Sequence, residues 1–256
     1  MKRNYLIITI LLLILGALCY IFFEAVPVKI LDDPLANKLL CGFISRIGLS
    51  LLFGWLLFIY GGKRYMVFTK AFFMMIAWSL PCFMVAFVNF PYSAIISGEA
   101  SIIRTDLMFI YILYVLGVSL LEEFIFRGVL LIVIFDIFKR KKHCPLLTTI
   151  VCSLIFSLFH LTNLFVGADV GSVLLQCGYT FLIGAMLTIT MLKLKNIWLC
   201  VLVHALFDFG GLLIINVGSG NPWDMMFWIL TITSGVLAAG HFIFSLIKLD
   251  RNYVSE

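Results

Sequence analysis

Three short polar patterns interrupt long apolar stretches of this 256-residue sequence. Their forms are Glu-Glu-x-x-x-Arg, Phe-x-x-x-His and His-x-x-x-Asp. The residues that make them up are Glu122, Glu123, Arg127, Phe156, His160, His204 and Asp208. Carboxylates and imidazoles often transfer protons in catalysis, and a partly dehydrated carboxylate is a stronger base than one in water. The patterns therefore supply the groups needed to activate a water molecule.

Helical spacing divides these residues into pairs, because positions four residues apart share one face of a helix. Glu123 and Arg127 have this spacing, which predicts a buried ion pair that fixes helix packing. Glu122 is five residues before Arg127 and is left without a partner on its own helix. His204 and Asp208 also share a face, so Asp208 can hold the imidazole in one tautomer, or both side chains can face one ligand.

Each remaining group suits one step of peptide hydrolysis. Glu122 is the candidate general base, and His160 can bind the same water or transfer its proton. His204 with Asp208 can donate hydrogen bonds to the oxyanion that develops on a peptide carbonyl. A covalent route is less attractive, because the sequence has no G-x-S-x-G motif and no convincing Cys and His nucleophile pair.

The same side chains also suit a metal ion. Two imidazoles and one or two carboxylates with an open position describe a catalytic zinc site, whose ligands would be Glu122, His160, His204 and Asp208. No H-E-x-x-H motif is present to fix such a site. From the residues alone, metal-dependent and metal-free hydrolysis both stay open.

The elements that must position these residues are apolar enough to lie in a lipid bilayer. The chain is 63% hydrophobic and 12% charged, whereas a globular domain is about half apolar and a quarter charged. A charge at the bilayer centre costs about 2.5 to 3.5 kcal/mol on insertion scales, so several together need a functional reason. We expect one membrane-embedded domain over residues 1–256, with its motifs within about 120–210. The net charge of +5 is not interpreted as nucleic-acid binding.

Uninterrupted apolar stretches predict an all-α polytopic membrane protein with eight transmembrane helices. The predicted spans are 5–23, 39–60, 66–88, 107–135, 146–166, 172–192, 196–217 and 225–247. The first begins like a signal peptide but is long for one and lacks a convincing cleavage site, so we expect it to be retained. Counted from the cytoplasmic ends of their spans, the four candidate catalytic residues lie at depths of about 12 to 21 Å. Residues from three helices therefore fall within one slab of the membrane.

Charge placement predicts the orientation, because cytoplasmic loops carry an excess of Lys and Arg. With the N-terminus inside, the basic residues on the cytoplasmic side are Lys2, Arg3, Lys63, Arg64, Lys70, Lys139, Arg140, Lys141, Lys142, Lys193, Lys195, Lys248 and Arg251. Those on the opposite side are only Lys29, Lys38 and Arg104. We therefore expect both termini in the cytoplasm.

Three other polar residues inside predicted spans are assigned to structure. Arg46, near the outer end of the second span, is expected to extend to the membrane interface, with a substrate contact as the alternative. Asn163 and Gln176 are expected to form hydrogen bonds between helices.

The three patterns, in this order on three apolar stretches, resemble the motifs of the CAAX protease and bacteriocin-processing (Abi) family of intramembrane peptidases. The resemblance implies that Glu122 activates water with His160, that His204 and Asp208 form the oxyanion site, and that no metal cofactor is needed. The residues left to structural support are Glu123, Arg127 and Phe156. Relatives in eukaryotes trim prenylated CAAX proteins, whereas bacterial ones are linked to bacteriocin maturation, self-immunity and peptide-signal processing. The expected partners are the lipid bilayer and a membrane-associated peptide or protein, and the expected location is a bacterial plasma membrane.

One residue departs from the pattern of the best-described CAAX enzymes, which carry Asn where this chain has Asp208. An ionised Asp would repel an oxyanion. Asp208 must therefore be protonated, orient His204, or contact a metal.

Two other classes of function use similar features. A proton-coupled transporter also places acidic and His residues at mid-membrane, but it predicts inverted repeats and broken helices, of which the sequence gives no sign. A non-catalytic immunity or scaffold protein would tolerate the loss of Glu122 or His160, and both residues are present.

Overall fold

The computed structural model describes residues 28–67 and 72–255, together with Ile14 and Gly16. The α-helices of this part are α1 (Pro34–Ile59), α2 (Phe72–Trp78), α3 (Leu80–Val88), α4 (Tyr92–Ser97), α5 (Met108–Glu123), α6 (Leu131–Phe138), α7 (Cys144–Phe159), α8 (Val170–Leu194), α9 (Ile197–Val217) and α10 (Met225–Ser255). Two short strands, β1 (Ala100–Ile102) and β2 (Gly218–Gly220), form an antiparallel pair. Apart from these two short strands, the regular structure of the described residues is helical, and the protein is an all-α polytopic membrane protein. The predicted span 5–23 lies outside the described residues, apart from Ile14 and Gly16, which are helical.

Six helical stretches of the described part are long and apolar enough to cross a bilayer. They are Pro34–Ile59, Leu80–Ser97, Cys144–Val166, Val170–Leu194, Ile197–Val217 and Met225–Val254. Five coincide with predicted spans, and Leu80–Ser97 overlaps the end of the predicted span 66–88. The predicted span 107–135 is helical from Met108 to Phe138, a length of about 46 Å. It contains the Glu-Glu-x-x-x-Arg pattern.

Three interruptions of the helices are absent from the sequence-based prediction. Ser79 separates α2 from α3, whose first turn contains Pro81, a residue that fits only the start of a helix. Residues Phe124–Leu130 form a π-helix between α5 and α6, and His160–Val166 form a 3-10 helix after α7. π-Helical segments are frequent at functional sites. Two of the three interruptions lie in the predicted site.

Helix α5 is packed between α1 and α9, while α7 pairs with α8. Three helix starts are fixed by side chains that cap them. Asp33, Asp169 and Asn196 each accept a hydrogen bond from the backbone N–H three residues ahead, before α1, α8 and α9 respectively. Such caps satisfy N–H groups that the first turn leaves without a helical partner.

The pair of strands joins the two helices that carry most of the polar motifs. β1 precedes α5, and β2 directly follows α9, with Ser101 paired to Ser219 at the centre of the register. The backbone N–H groups of Ile103 and Arg104 both donate to the carbonyl of Val217 at 3.0 Å. The start of α5 is therefore tied to the end of α9.

An ion cluster joins the starts of α1 and α5. Arg104 contacts both Asp33 and Asp106 at 2.9 Å. The hydrogen bond from the Ala36 N–H, and then Arg104, lower the pKa of Asp33, while Arg104 lowers the pKa of Asp106. Because both pKa values are lowered in the folded protein, the cluster stabilises it above the ordinary value of 3.8. That contribution is lost as the pH falls through the lowered values.

Replacing Gly210 with Ala is expected to destabilise the protein by about 1 to 3 kcal/mol. A Cβ atom at this position on α9 would lie 2.8 Å from the Cα and N atoms of Phe90, and backbone atoms cannot rotate aside. The matched control is Gly48→Ala in α1, where nothing lies within 4 Å of the added atom. We expect it to be neutral or stabilising by up to about 1 kcal/mol. Equal thermal unfolding midpoints for the two variants in detergent would contradict this account.

Candidate active site

The three motifs meet at one cavity of about 200 Å³ among the helices. Glu122 reaches it from the end of α5, His160 from the end of α7, and His204 and Asp208 from α9. Arg46, from α1, also lines the cavity. The structure therefore brings all four predicted catalytic residues around one space. The Glu122 and Asp208 side chains keep 18% and 17% of their surface exposed, which leaves room for a small molecule to touch them.

Glu123 lies behind this cavity and links two helices. Its Oε1 atom accepts a hydrogen bond from Arg127 Nη1 at 2.7 Å, so the ion pair predicted from the four-residue spacing is present. The same oxygen lies 2.7 Å from Nδ1 of His204 on α9. All three side chains are almost completely buried. The sequence analysis missed the contact between Glu123 and His204, because spacing along one helix carries no information about a helix 81 residues away.

The contact with Glu123 fixes the orientation of the His204 ring. Oε1 of Glu123 already accepts from Arg127, so it acts as acceptor here as well and Nδ1 of His204 is the donor. The opposite ring atom, Nε2, then faces the cavity, 3.7 Å from Oε2 of Glu122 and 3.4 Å from Oδ2 of Asp208. Glu123 therefore orients the ring at Nδ1, a contact that the sequence did not predict, while Asp208 lies at Nε2.

His160 also has a defined tautomer. Its Nδ1 atom lies 2.9 Å from the carbonyl oxygen of Phe156. A carbonyl only accepts hydrogen bonds, so Nδ1 carries the proton and Nε2 of the neutral ring is left as an acceptor. His160 is the residue at which α7 ends and the 3-10 helix begins. The change in helix type sets the position of this ring at the cavity.

The ring of Phe156 packs against Arg127 and against the imidazole rings of His160 and His204. The Cζ atom of Arg127 lies 4.1 Å from the centroid of its ring, within the range of a cation–π contact. The ring also meets the rings of His160 and His204 edge-on, at centroid distances of 5.0 and 6.0 Å. Phe156 therefore contacts residues of all three motifs.

Arg46 corrects one sequence-based expectation. Its side chain does not extend to the membrane interface but is 4% exposed and lines the cavity. The guanidinium carbon lies 5.0 Å from the ring centroid of Tyr114, and Nη1 donates to the carbonyl of Gly42 at 3.0 Å. The sequence analysis placed Arg46 by its distance from the end of the span, which does not reveal that α5 covers it.

Polar side chains outside the three motifs also line the cavity, and the sequence analysis did not predict them as part of the site. Asn163 and Gln176 form the expected hydrogen bond between helical segments, from Nδ2 to Oε1 at 2.8 Å. Both also line the cavity, together with Thr162, Tyr179 and Thr180. Amide and hydroxyl groups of this kind can bind the backbone of a peptide.

No group of three or more His, Cys, Asp and Glu side chains in residues 28–67 and 72–255 is arranged to hold a metal ion. The closest ionisable atoms in the cavity are Nε2 of His204 and the carboxylate oxygens of Glu122 and Asp208. The carboxylates of Glu122 and Asp208 can accept a proton, and the imidazole of His204 can accept or donate one. Together they can exchange protons with a bound water molecule.

Comparison with known protein families gives one match. Residues 104–210 match the family model described as Type II CAAX prenyl endopeptidase Rce1-like. This match supports the resemblance of the three motifs to the CAAX protease and bacteriocin-processing family. No curated protein and no solved structure matches the chain. The Rce1-like segment contains all seven motif residues, whereas Arg46 lies on a helix that precedes it. The protein is thus a membrane protein in which residues 104–210 are similar to type II CAAX prenyl endopeptidases.

Proposed function

We propose that this protein is an intramembrane endopeptidase that hydrolyses a peptide bond of a membrane-associated peptide or protein, with water activated by Glu122 and His160. The observation that carries the proposal is the meeting of Glu122, His160 and His204 at one cavity among apolar helices. The Rce1-like match supports peptide hydrolysis as the reaction.

In this mechanism Glu122 and Nε2 of His160 both accept hydrogen bonds from one water molecule. Glu122 takes a proton from the water as its oxygen bonds to the carbonyl carbon of the substrate, and an oxyanion forms. Nε2–H of His204 donates to that oxyanion, while Glu123 stabilises the imidazolium form of the ring through Nδ1. The C–N bond then breaks, and the leaving amine takes the proton from Glu122.

Asp208 is assigned an orienting role in this scheme. Its Oδ2 atom lies 3.4 Å from Nε2 of His204, one helical turn along α9. A carboxylate in this position would repel an oxyanion directly but can hold the imidazole in place before substrate binds. Of the three roles open to Asp208, this contact favours orientation of His204.

A second cavity supports a substrate with an apolar part. It has a volume of about 210 Å³ and shares Arg46, Val118, Glu122 and Phe159 with the first. The rest of its described lining is apolar: Ile14, Gly16, Leu121, Ile125, Phe126 and Ile155. A lipid-anchored or membrane-spanning peptide could place its apolar portion here. We therefore propose CAAX-type, bacteriocin or signal-peptide substrates, the bilayer as a partner, and a bacterial plasma membrane as the location.

The transporter alternative also predicts interrupted helices, and the described part of the chain has them. These interruptions lie at Phe124–Leu130, directly after Glu122 and Glu123, and at His160–Val166, where a protease also needs irregular backbone to present its catalytic groups. The Rce1-like match supports the protease over the transporter.

The purified protein in detergent is expected to cleave a quenched-fluorescent, farnesylated CAAX-type peptide. In oxygen-18 water, one labelled oxygen should enter the new carboxylate, because the mechanism adds water directly. Mass spectrometry of the product measures both the position of cleavage and the label. Absence of cleavage in this peptide and in a membrane-spanning peptide would overturn the proposed function. Formation of a hydroxamate with hydroxylamine would show an acyl-enzyme and overturn the mechanism.

Metal chelators are expected to leave this activity within about twofold of its starting value, because each proposed step uses protein side chains. The measurement is the initial cleavage rate after incubation with EDTA or phenanthroline. Loss of activity followed by recovery on adding zinc would contradict the prediction. It would assign Glu122, His160, His204 and Asp208 as ligands instead.

A further inference from the structure

The turn of α9 that carries Asp208 is held by side chains from two other parts of the chain. The carbonyl oxygen of Phe207 accepts a hydrogen bond from Nδ2 of Asn89 at 2.8 Å. The hydroxyl of Tyr111 donates to the carbonyl of Phe209 at 2.6 Å and lies 3.4 Å from that of Asp208. A carbonyl oxygen has two lone pairs, so these contacts can add to the hydrogen bonds within the helix. Three consecutive carbonyl groups of one turn are thus fixed from outside.

Both donors are buried and belong to elements that are themselves well held. Tyr111 is 0% exposed and Asn89 is 9% exposed. Tyr111 lies on α5, eleven residues before Glu122, and its ring packs against that of Phe209 with a centroid distance of 5.6 Å. Asn89 directly follows the last residue of α3. The turn of α9 is therefore fixed relative to the helix that carries the proposed general base.

Two glycines of α9 allow this close approach. A Cβ atom on Gly211 would lie 2.6 Å from Nδ2 of Asn89, and one on Gly210 would lie 2.8 Å from the backbone of Phe90. Side chains at these positions would push Asn89 away from the carbonyl of Phe207. The contact therefore depends on the absence of side chains from this part of α9.

A simpler explanation is that Asn89 and Tyr111 contact α9 only to satisfy their own polar groups, which are costly to leave unpaired in a bilayer. Asn216 shows that a polar side chain can do this on its own helix, since its Nδ2 atom donates to the carbonyl of Leu212 at 2.9 Å. Asn89 and Tyr111 instead converge on the one turn that presents Asp208 to the cavity. This convergence indicates a role in the site.

The two catalytic candidates on α9 differ in how they are supported. Glu123 contacts Nδ1 of His204 directly at 2.7 Å. Asp208 contacts Nε2 of the same ring at 3.4 Å, and the contacts of Asn89 and Tyr111 hold its backbone rather than its carboxylate. A displacement of about 1 Å in an active site can cost about 10²-fold in rate. The position of residues 207–209 therefore determines whether Asp208 can orient the ring.

We propose that Tyr111 and Asn89 are positioning residues, which fix the turn of α9 at residues 207–209 so that Asp208 stays in contact with His204. The inference rests on the proposed function, in which Asp208 orients the imidazole that later donates to the oxyanion. Neither Tyr111 nor Asn89 is among the described residues that line the cavity. Because the oxyanion forms only after substrate has bound, both should act on kcat rather than on KM.

The first test is Tyr111→Phe, which removes one hydroxyl and keeps the ring. It is expected to lower kcat for the farnesylated, quenched-fluorescent CAAX-type peptide about 10- to 100-fold, with KM within about twofold of the wild-type value. Asn89→Leu removes the other donor and should act in the same way. The matched control is Tyr92→Phe, which removes a hydroxyl from a side chain that is 47% exposed. It should keep the wild-type kcat.

The rates are expressed per mole of folded protein, measured by size-exclusion chromatography in detergent. A role in packing alone would lower the amount of folded protein or its unfolding midpoint but leave this kcat unchanged. If neither Tyr111→Phe nor Asn89→Leu yields folded protein, the contacts serve folding and the inference is overturned.

A double-mutant cycle tests whether Tyr111 acts through Asp208. Asp208→Ala is expected to lower kcat about tenfold. Adding Tyr111→Phe should then lower it by less than about threefold more, because the group to be positioned is gone. Two losses that multiply in full would show that Tyr111 acts elsewhere and would overturn the inference. Complete loss of cleavage in Asp208→Ala would also overturn it, because a residue that only orients His204 is not essential.

The outcomes separate this inference from the proposed function. An unchanged kcat in both Tyr111→Phe and Asn89→Leu, or a change confined to KM, would overturn the positioning role and leave the protease intact. If the wild-type protein cleaves neither this peptide nor a membrane-spanning peptide, the proposed function fails, and the inference fails with it.

Discussion

Replacing Glu122 with Gln is expected to lower the kcat/KM for peptide cleavage by about 10²- to 10⁴-fold, the usual contribution of a general base. Gln has the same shape and can keep the neighbouring contact with Nε2 of His204, which is 3.7 Å from Oε2 in the wild-type protein. It cannot take a proton from water. Cleavage rates and thermal unfolding midpoints in detergent are the measurements, and the unfolding midpoint should not fall.

A matched control separates this effect from a general change in charge. Glu99 is exposed, lies outside the cavity and carries the same functional group. Glu99→Gln should retain wild-type cleavage. If Glu122→Gln keeps more than about a tenth of the wild-type activity, Glu122 is not the general base.

Glu123→Leu and Arg127→Met are each expected to destabilise the protein by about 3 to 5 kcal/mol. Each removes one partner of a pair whose side chains are at most 1% exposed. Glu123→Leu leaves the Arg127 charge buried without its carboxylate, and Arg127→Met leaves Glu123 buried with the contact to His204 in place of the ion pair. In the combined variant both charges are gone, and apolar side chains of similar size fill the space. We expect its unfolding midpoint to recover most of the loss.

Recovery of stability should not restore activity in the combined variant. His204 would lose the acceptor at 2.7 Å from its Nδ1 atom, and its ring would no longer be held with Nε2 towards the cavity. The expected result is a folded protein with kcat reduced about 10²-fold or more. Full recovery of cleavage together with stability would mean that Glu123 and Arg127 contribute only to packing.

The features that the sequence predicted correctly depend on local chemistry. Long apolar stretches must be helical in a bilayer, since every backbone N–H and C=O group needs a partner there. The ion pair of Glu123 and Arg127 follows from a spacing of four residues, because positions four apart share one face of a helix. These arguments need no knowledge of which helices are neighbours.

The features that the sequence did not predict depend on packing between helices. The contact of Glu123 with His204 requires α5 and α9 to be adjacent, and the burial of Arg46 requires α5 to cover α1. The π-helix at Phe124–Leu130 contains no proline or unusual run of residues that would indicate it. Gly42 was an available signal for the position of Arg46, because small residues mark close helix contacts in membranes and a Cβ atom there would lie 2.9 Å from Nη1 of Arg46.

The strand pair β1–β2 ties the start of α5 to the end of α9, and this limits where residues can be inserted or deleted. Its register determines how far α5 is displaced along its axis relative to α9. A slip of one residue would shift one helix by about 3.3 Å, nearly as much as the 3.7 Å that separates Glu122 from His204. We therefore expect insertions or deletions between Ile102 and Met108 to be tolerated far less than those in the turn at residues 139–143, which connects α6 to α7.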